Sequence, residues 1–318
     1  MALLDIEGVS VSFRRARGWF AHEQIDVIQN LDLFINAGEI VAVVGASGSG
    51  KSVLAQAIMG ILPANAKLEG RISYNGEPLT PERQLHLRGD ELMLIPQSVS
   101  YLDPLMKVGR QVQPVTRDSG RKRGFITRSH MKKTEQELME RYHLPQGTVG
   151  KYPFELSGGM ARRVLMATAT SGHPKLIIAD EPTPGIHPEV LAETMKQFRE
   201  LANQGVGILW ITHDVTTALK AADRIAVFYA GTNVETAQVN DFTGTGERLR
   251  HPYTKALWNA LPQNGFQPLP GSQPLAGQEI TAGCSFAPRC SVATAVCTRE
   301  RPELRKVRGG EVRCFHVT

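Results

Sequence analysis

Gly45-Ala46-Ser47-Gly48-Ser49-Gly50-Lys51-Ser52 spaces two glycines around four residues and follows them with Lys-Ser. That is the pattern of a phosphate-binding loop. Glycines let the backbone curl so that successive N–H groups point inward at phosphate oxygens. A helix opening near Lys51 would add the positive end of its dipole. The Lys51 ammonium reaches terminal phosphates, and the Ser52 hydroxyl can ligate Mg²⁺.

A second set of residues completes the chemistry. Leu176-Ile177-Ile178-Ala179-Asp180-Glu181 is an apolar run ending in two acids. At the carboxyl end of a parallel strand, Asp180 would hold Mg²⁺ and Glu181 would polarise an attacking water as general base. Leu156-Ser157-Gly158-Gly159-Met160 leads into a helical run. It offers a hydroxyl and N–H groups at a helix start, which is a second anion site. With one phosphate loop and two phosphate-binding devices, the second is expected to serve another subunit's nucleotide.

These residues need a framework of strands and helices. Glu39 to Val44 reads as a strand running into the Gly/Ser turn, followed by a helix from Lys51 to about Gly60. Leu92–Ile95, Leu176–Asp180, Gly207–Thr212 and Arg224–Tyr229 read as further strands, the last of them closing the core; Pro188 to Gln204 reads as a helix. Leu4, Ile6, Val9, Val11 and Phe13 change phase at Gly8, which predicts a bulge in an edge strand. The fold class expected is α/β, a parallel sheet covered on both faces. Residues 1–240 would form this core, with a mostly helical subdomain at about 98–170. Residues 241–318, rich in Gly, Pro and Gln, would form a small irregular extension.

Composition narrows the setting. Of 318 residues 42% are hydrophobic, enough for a sizeable core, and the net charge of +5 is a mild excess that does not by itself indicate nucleic acid. No apolar run approaches the roughly 20 residues needed to span a bilayer. No export signal is read at the N-terminus, so the chain is expected on the cytoplasmic side, meeting the membrane through partners. The basic run Arg121, Lys122, Arg123, Arg128, Lys132, Lys133 is read as a solvated helical face.

The order of motifs resembles the ATP-binding-cassette (ABC) ATPases from about residue 3 to 232. Gln97 looks like the family's Q-loop glutamine, and Leu156 to Gly159 like its signature. Asp180 and Glu181 look like the Walker B end, His213 like the switch histidine, and Phe13 like the aromatic that stacks on adenine. The resemblance implies that Gly45, Ser47, Gly48, Ser49, Gly50, Lys51, Ser52 and Gln97 hold Mg-ATP together with Ser157, Gly158 and Gly159 of a second cassette. Lys51, Glu181 and His213 would carry hydrolysis, with Ser52, Gln97 and Asp180 around Mg²⁺. Pro96 to Gly109 and His251-Pro252-Tyr253-Thr254 are similar to the dipeptide/oligopeptide/nickel importer branch. That implies two membrane permease subunits, an extracytoplasmic substrate-binding protein, and a peripheral place on the cytoplasmic face of the membrane.

Cys284, Cys290, Cys297 and Cys314 stand alone near the C-terminus, spaced C-x5-C-x6-C-x16-C. Four thiolates suit an iron–sulfur cluster or Zn²⁺; the wide spacing favours the cluster, and free thiols are the third reading. The branch resemblance also implies a [4Fe–4S] cluster here. Two departures stand out. His187 replaces the usual D-loop aspartate, which implies two unequal composite sites and a different cassette as partner. Ala161-Arg162 replaces the commoner Arg-Gln after the signature. The competing functional classes are a non-transport cassette of DNA repair or translation and a non-catalytic regulatory cassette; the intact Glu181 opposes the latter.

Overall fold

The computed structural model describes residues 2–17, 21–113, 128–182, 188–272, 274 and 282–317. The readings of His187 and of the basic run between residues 121 and 127 lie outside them, as do the side chains of that run up to residue 133. In chain order the elements are β1 (Leu4–Arg17), β2 (Ala21–Ile35), β3 (Ile40–Val44), α1 (Lys51–Met59), β4 (Ala66–Tyr74), β5 (Glu77–Pro78), α2 (Pro81–Leu87), β6 (Leu92–Ile95), α3 (Val108–Gln111), α4 (Arg128–Arg141), α5 (Gly158–Thr170), β7 (Leu176–Asp180), α6 (Pro188–Asn203), β8 (Gly207–Thr212), α7 (Val215–Ala221), β9 (Arg224–Tyr229), β10 (Thr232–Gln238), α8 (Pro252–Asn259), α9 (Ala295–Arg299), β11 (Arg305–Val307) and β12 (Gly310–Val312).

Two sheets form. The larger has the order β11-β12-β10-β9-β3-β8-β7-β6, and the smaller β2-β1-β4-β5. In the larger sheet β9, β3, β8, β7 and β6 run parallel, while β10 and the β11–β12 hairpin are antiparallel. The strands that must position the site therefore share one carboxyl edge. Alternate residues of β3 enter different cores: Ile40, Ala42 and Val44 one, Val41 and Val43 the other. A strand buried on both faces needs an unbroken apolar run, which is why Ile40–Val44 was legible.

Three expectations change. The sheet is mixed rather than all parallel. Arg224–Tyr229 is not the last strand, because β10 pairs beside it and β12 beside β10. β1 is not an edge strand, since β2 and β4 flank it. The bulge at Gly8 is present: the registers of both pairings shift around it, and Gly8 has φ +58°. The irregular extension has long loops, and it also donates the β11–β12 hairpin to the core sheet. Residues 98–170 carry α3, α4 and α5 among those described.

Arg250 fastens the extension. It is fully buried, and its Nη1 donates to Glu235 (3.2 Å) and Asp241 (2.9 Å). Its Nε reaches the Val307 carbonyl (2.5 Å), and Nη2 the Arg308 carbonyl. Beside it His251 caps α8: its Nδ1 accepts from the Tyr253 N–H at 3.0 Å, so in the neutral ring the proton sits on Nε2.

Burial pushes the His251 imidazole down to about 3. The folded ring stays neutral while an unfolded one takes a proton near 6.5, so stability from this group is complete above pH 6.5. It is lost as pH falls toward 3, at about 1.4 kcal/mol per pH unit. Burial raises the Glu235 carboxyl, a shift of opposite pH sense. A comparison with His251→Asn, which keeps a capping acceptor, isolates the imidazole. Urea midpoints at pH 7.5, 6.0 and 5.0 should fall less steeply in the variant than in the parent; parallel slopes would contradict a buried neutral His251.

Candidate functional site

The phosphate loop joins β3 to α1, and its glycines are required by geometry at two points. Gly50 is the left-handed N-cap of α1 at φ +95°. At Gly45 a Cβ would lie 2.6 Å from the Phe228 carbonyl oxygen. The loop is thus pressed against β9 with no room for a side chain.

Lys51 is 5% exposed. Its Nζ donates back to the Gly45 and Ala46 carbonyls at 2.9 and 3.0 Å. Burial lowers its pKa, opposed by Glu181 and Asp180. A cation held in this way is close to a ready-made anion site. Ser49 Oγ is buried, with no hydrogen-bond partner among the described residues. The Ser52 hydroxyl donates to Asp180 Oδ1 at 3.1 Å. Burial raises the Asp180 carboxyl, with the Ser52 hydrogen bond opposing. Two oxygens this close, one a carboxylate, form a donor set suited to Mg²⁺, a hard cation.

Glu181 follows on the same edge. It has φ +44°, and its N–H donates to the Ile211 carbonyl at 2.9 Å. Gln97 Nε2 donates to its Oε2 at 2.9 Å, and His213 Nδ1 lies 3.3 Å from its Oε1. β6, β7 and β8 are neighbours, so residues 97, 180–181 and 213 meet although they lie far apart in sequence. Phe13 sits in β1, half-buried at the rim of the core beneath the smaller sheet.

Ser157 caps α5, accepting from the Met160 N–H at 3.3 Å. Ser157, Gly158 and Gly159 are exposed, and a Cβ on either glycine would meet nothing within 4 Å. Among the described residues no hydrogen bond joins this cap to the loop of its own chain. Arg162, which the sequence marked only as a departure, binds the Glu181 and Gln97 carbonyls, both at 3.1 Å. Nothing in its local pattern announces this, because both acceptors are backbone atoms.

The four cysteines line one small cavity with His251, Phe286 and His316. Cys297 and Cys314 are buried, Cys284 and Cys290 half-buried. At Gly283 a Cβ would lie 2.2 Å from the Cys297 carbonyl, so the loops approach only because that residue is glycine. Burial raises the Cys284 and Cys290 thiols. Cys297 Sγ lies 3.2 Å from His316 Nε2. Among the described residues no three His, Cys, Asp or Glu side chains are grouped to hold a single metal ion.

Comparison with known proteins agrees with this geometry. Residues 28–184 match the ABC transporter family, and residues 234–297 the oligopeptide/dipeptide transporter C-terminal region. The oligopeptide transport ATP-binding protein OppD of Bacillus subtilis (strain 168) is 35% identical over 82% of this chain and 72% of its own. OppD of Escherichia coli (strain K12) is 33% identical over 82% and 76%. Among solved structures, the dimeric ATP-binding cassette MJ0796 bound to ADP and Pi superposes with a TM-score of 0.65 at 24% identity, over 74% of this chain and 98% of that one. That likeness carries the fold alone.

Proposed function

This chain belongs to the ATP-binding subunits of the ABC transporters, in the branch with the oligopeptide/dipeptide C-terminal region, and from that membership we propose that its ATPase activity drives import of di- and oligopeptides. The observation that carries the reading is the convergence of Lys51, Ser52–Asp180, and Glu181 with Gln97 and His213 on one sheet edge. The names of the relatives, both oligopeptide transport proteins, support the cargo.

In this reading the loop N–H groups from Gly45 to Ser52, Ser47 and Ser49 among them, hold the triphosphate, and Phe13 stacks on adenine. Ser52, Asp180 and Gln97 hold Mg²⁺, which when bound neutralises charge on the transferring phosphoryl group. Lys51 and His213 stabilise that group, and Glu181 accepts the proton of the attacking water. The exposed Ser157-Gly158-Gly159 cap serves a second cassette, so hydrolysis needs head-to-tail closure of two. A different cassette as partner follows from the D-loop departure at His187.

The membrane partners dock beside the Q-loop. There Tyr101, Leu105 and Phe154 are exposed, Phe154 stacks on Tyr152 at 5.5 Å, and Lys107 lies 5.7 Å over the Tyr152 ring. Apolar groups exposed together in this way suit a permease surface. No described helix is long and apolar enough to cross a membrane, so the chain would sit peripherally on the cytoplasmic face, with an extracytoplasmic binding protein delivering cargo. We assign residues 1–240 to the cassette and 241–318 to the extension. The four cysteines, converging on an apolar cavity, would hold a [4Fe–4S] cluster through their thiolates. Such a cluster would serve the extension structurally; the raised thiols mean it must bind with proton release.

Purified chain reconstituted with its companion cassette, permeases and binding protein should take up labelled di- or oligopeptide only with hydrolysable ATP. Uptake of Ni²⁺ or a nickel chelate in place of peptide would reassign the cargo, and ATPase stimulated by DNA rather than by the permeases would reject transport. Anaerobically purified protein should contain iron and acid-labile sulfide, lost together in Cys297→Ser; zinc or bare thiols would reject the cluster.

A further inference from the structure

Arg162 lies one turn into α5, just behind the exposed Ser157 cap. Its Nη1 donates to the Glu181 carbonyl and its Nη2 to the Gln97 carbonyl, each at 3.1 Å. A planar guanidinium can bridge two carbonyls on different loops, because its N–H directions are fixed and divergent. Gln97 in turn donates through Nε2 to the Glu181 carboxylate at 2.9 Å. Arg162, Gln97 and Glu181 thus close a ring of three hydrogen bonds across three separate segments.

Glu181 needs such support. Its φ of +44° is a left-handed conformation, which is unfavourable for a residue with a side chain. Strain of that kind persists only where the surroundings over-determine it. Both backbone polar groups of Glu181 are held, the N–H by Ile211 and the carbonyl by Arg162. That backbone sets the direction in which the carboxylate leaves the end of β7. Arg162 contacts the backbone and not the carboxylate, so it acts through Glu181 rather than on the reacting atoms.

We propose that Arg162 is a positioning residue for hydrolysis, linking the Ser157–Gly159 cap to Glu181 and Gln97 of the same chain. Movement of α5 as the cap closes on a nucleotide is carried by the guanidinium to both carbonyls. One composite site thereby reports its occupancy to the base of the other. The inference rests on the reading of Glu181 as general base and of the cap as a nucleotide contact.

The test uses the reconstituted transporter with Arg162→Ala, Arg162→Lys and, separately, Glu181→Gln. Arg162→Ala should lower kcat by roughly 10- to 100-fold with KM for ATP changed less than about threefold, the mark of lost positioning rather than lost binding. Arg162→Lys should fall between, since an ammonium can reach both carbonyls without the planar fork. In a Glu181→Gln background, Arg162→Ala should trap ATP in the closed assembly as well as Glu181→Gln alone. An unchanged kcat in Arg162→Ala, or loss of ATP trapping in the double variant, would overturn the proposal. If Arg162→Ala fails to fold, the kcat-against-KM split of Arg162→Lys decides, and parental kcat in that variant likewise overturns it. Parental turnover in Glu181→Gln would instead reject the general-base reading on which the inference rests.

Discussion

Glu181→Gln is expected to cut ATP turnover by about 1,000-fold, within the range that general-base catalysis supplies, while ATP binding stays within a few-fold of the parent. The two sides of this prediction come from different parts of the site. In the proposed reading, binding would reside in the loop N–H groups and Lys51, whose geometry involves β3, α1 and β9 but not the Glu181 side chain. Proton acceptance would reside in the Glu181 carboxylate, which touches Gln97 and His213. The amide is isosteric and cannot take a proton from water near neutral pH, so only the chemical step is removed. The loss corresponds to about 4 kcal/mol of transition-state stabilisation. Steady-state ATPase assays together with equilibrium nucleotide binding would check it. A variant that hydrolyses at a tenth of the parental rate or faster would move the base elsewhere. Lys51→Ala makes the contrasting case, with binding itself lost.

Arg250→Ala is expected to destabilise the protein by about 3–5 kcal/mol, the cost of breaking a buried ion pair by removing one partner. Glu235 is fully buried and sits in a β-strand. It accepts the Arg250 and His251 N–H groups at 2.9 and 2.7 Å, and pairs with the guanidinium. Without Arg250 its charge, and that of Asp241, would lose their counter-ion in the interior, and the Val307 and Arg308 carbonyls would lose their donor. The alanine would also leave a void where Gly310 now makes room; a Cβ there would lie 2.5 Å from the guanidinium carbon. Melting should drop by roughly 10 °C. Because the same side chain ties β11–β12 to β10, proteolysis should release the C-terminal hairpin first. A melting point within about 2 °C of the parent would show that Arg250 is not the fastener. Arg250→Lys, retaining charge without the fork, should be intermediate.

Much of the site was legible because its parts are local. A Gly-rich turn between an apolar run and a helix start is fixed by near neighbours, and an apolar strand buried on both faces has to read as unbroken hydrophobics. Elements whose stability comes from distant partners were not legible. β10 reads Thr-Asn-Val-Glu-Thr-Ala-Gln, polar at five of its seven positions, yet all but its last residue are buried. Asn233, Glu235 and Thr236 go inside because Arg250, the β12 hairpin and neighbouring backbone satisfy them. β2 and β4 were missed for a related reason. They belong to an antiparallel sheet beside β1, whose partly solvated face breaks the apolar run that marks a core strand.

The order of short motifs along the chain, by itself, determined that a Gly-rich phosphate-loop pattern lies ahead of Lys51 and that acids follow an apolar strand. Curvature at a Gly-rich turn, and the unbroken apolar run of a strand buried on both faces, are properties of a few adjacent residues. Only the tertiary structure decided which distant groups meet: Gln97 and His213 on the Glu181 carboxylate, Arg162 on two backbone carbonyls, and four cysteines around one cavity. The physical reason is that a hydrogen bond to a carbonyl or a shared carboxylate needs directions set by neighbouring strands and helices. A linear pattern carries spacing, and those directions come from packing.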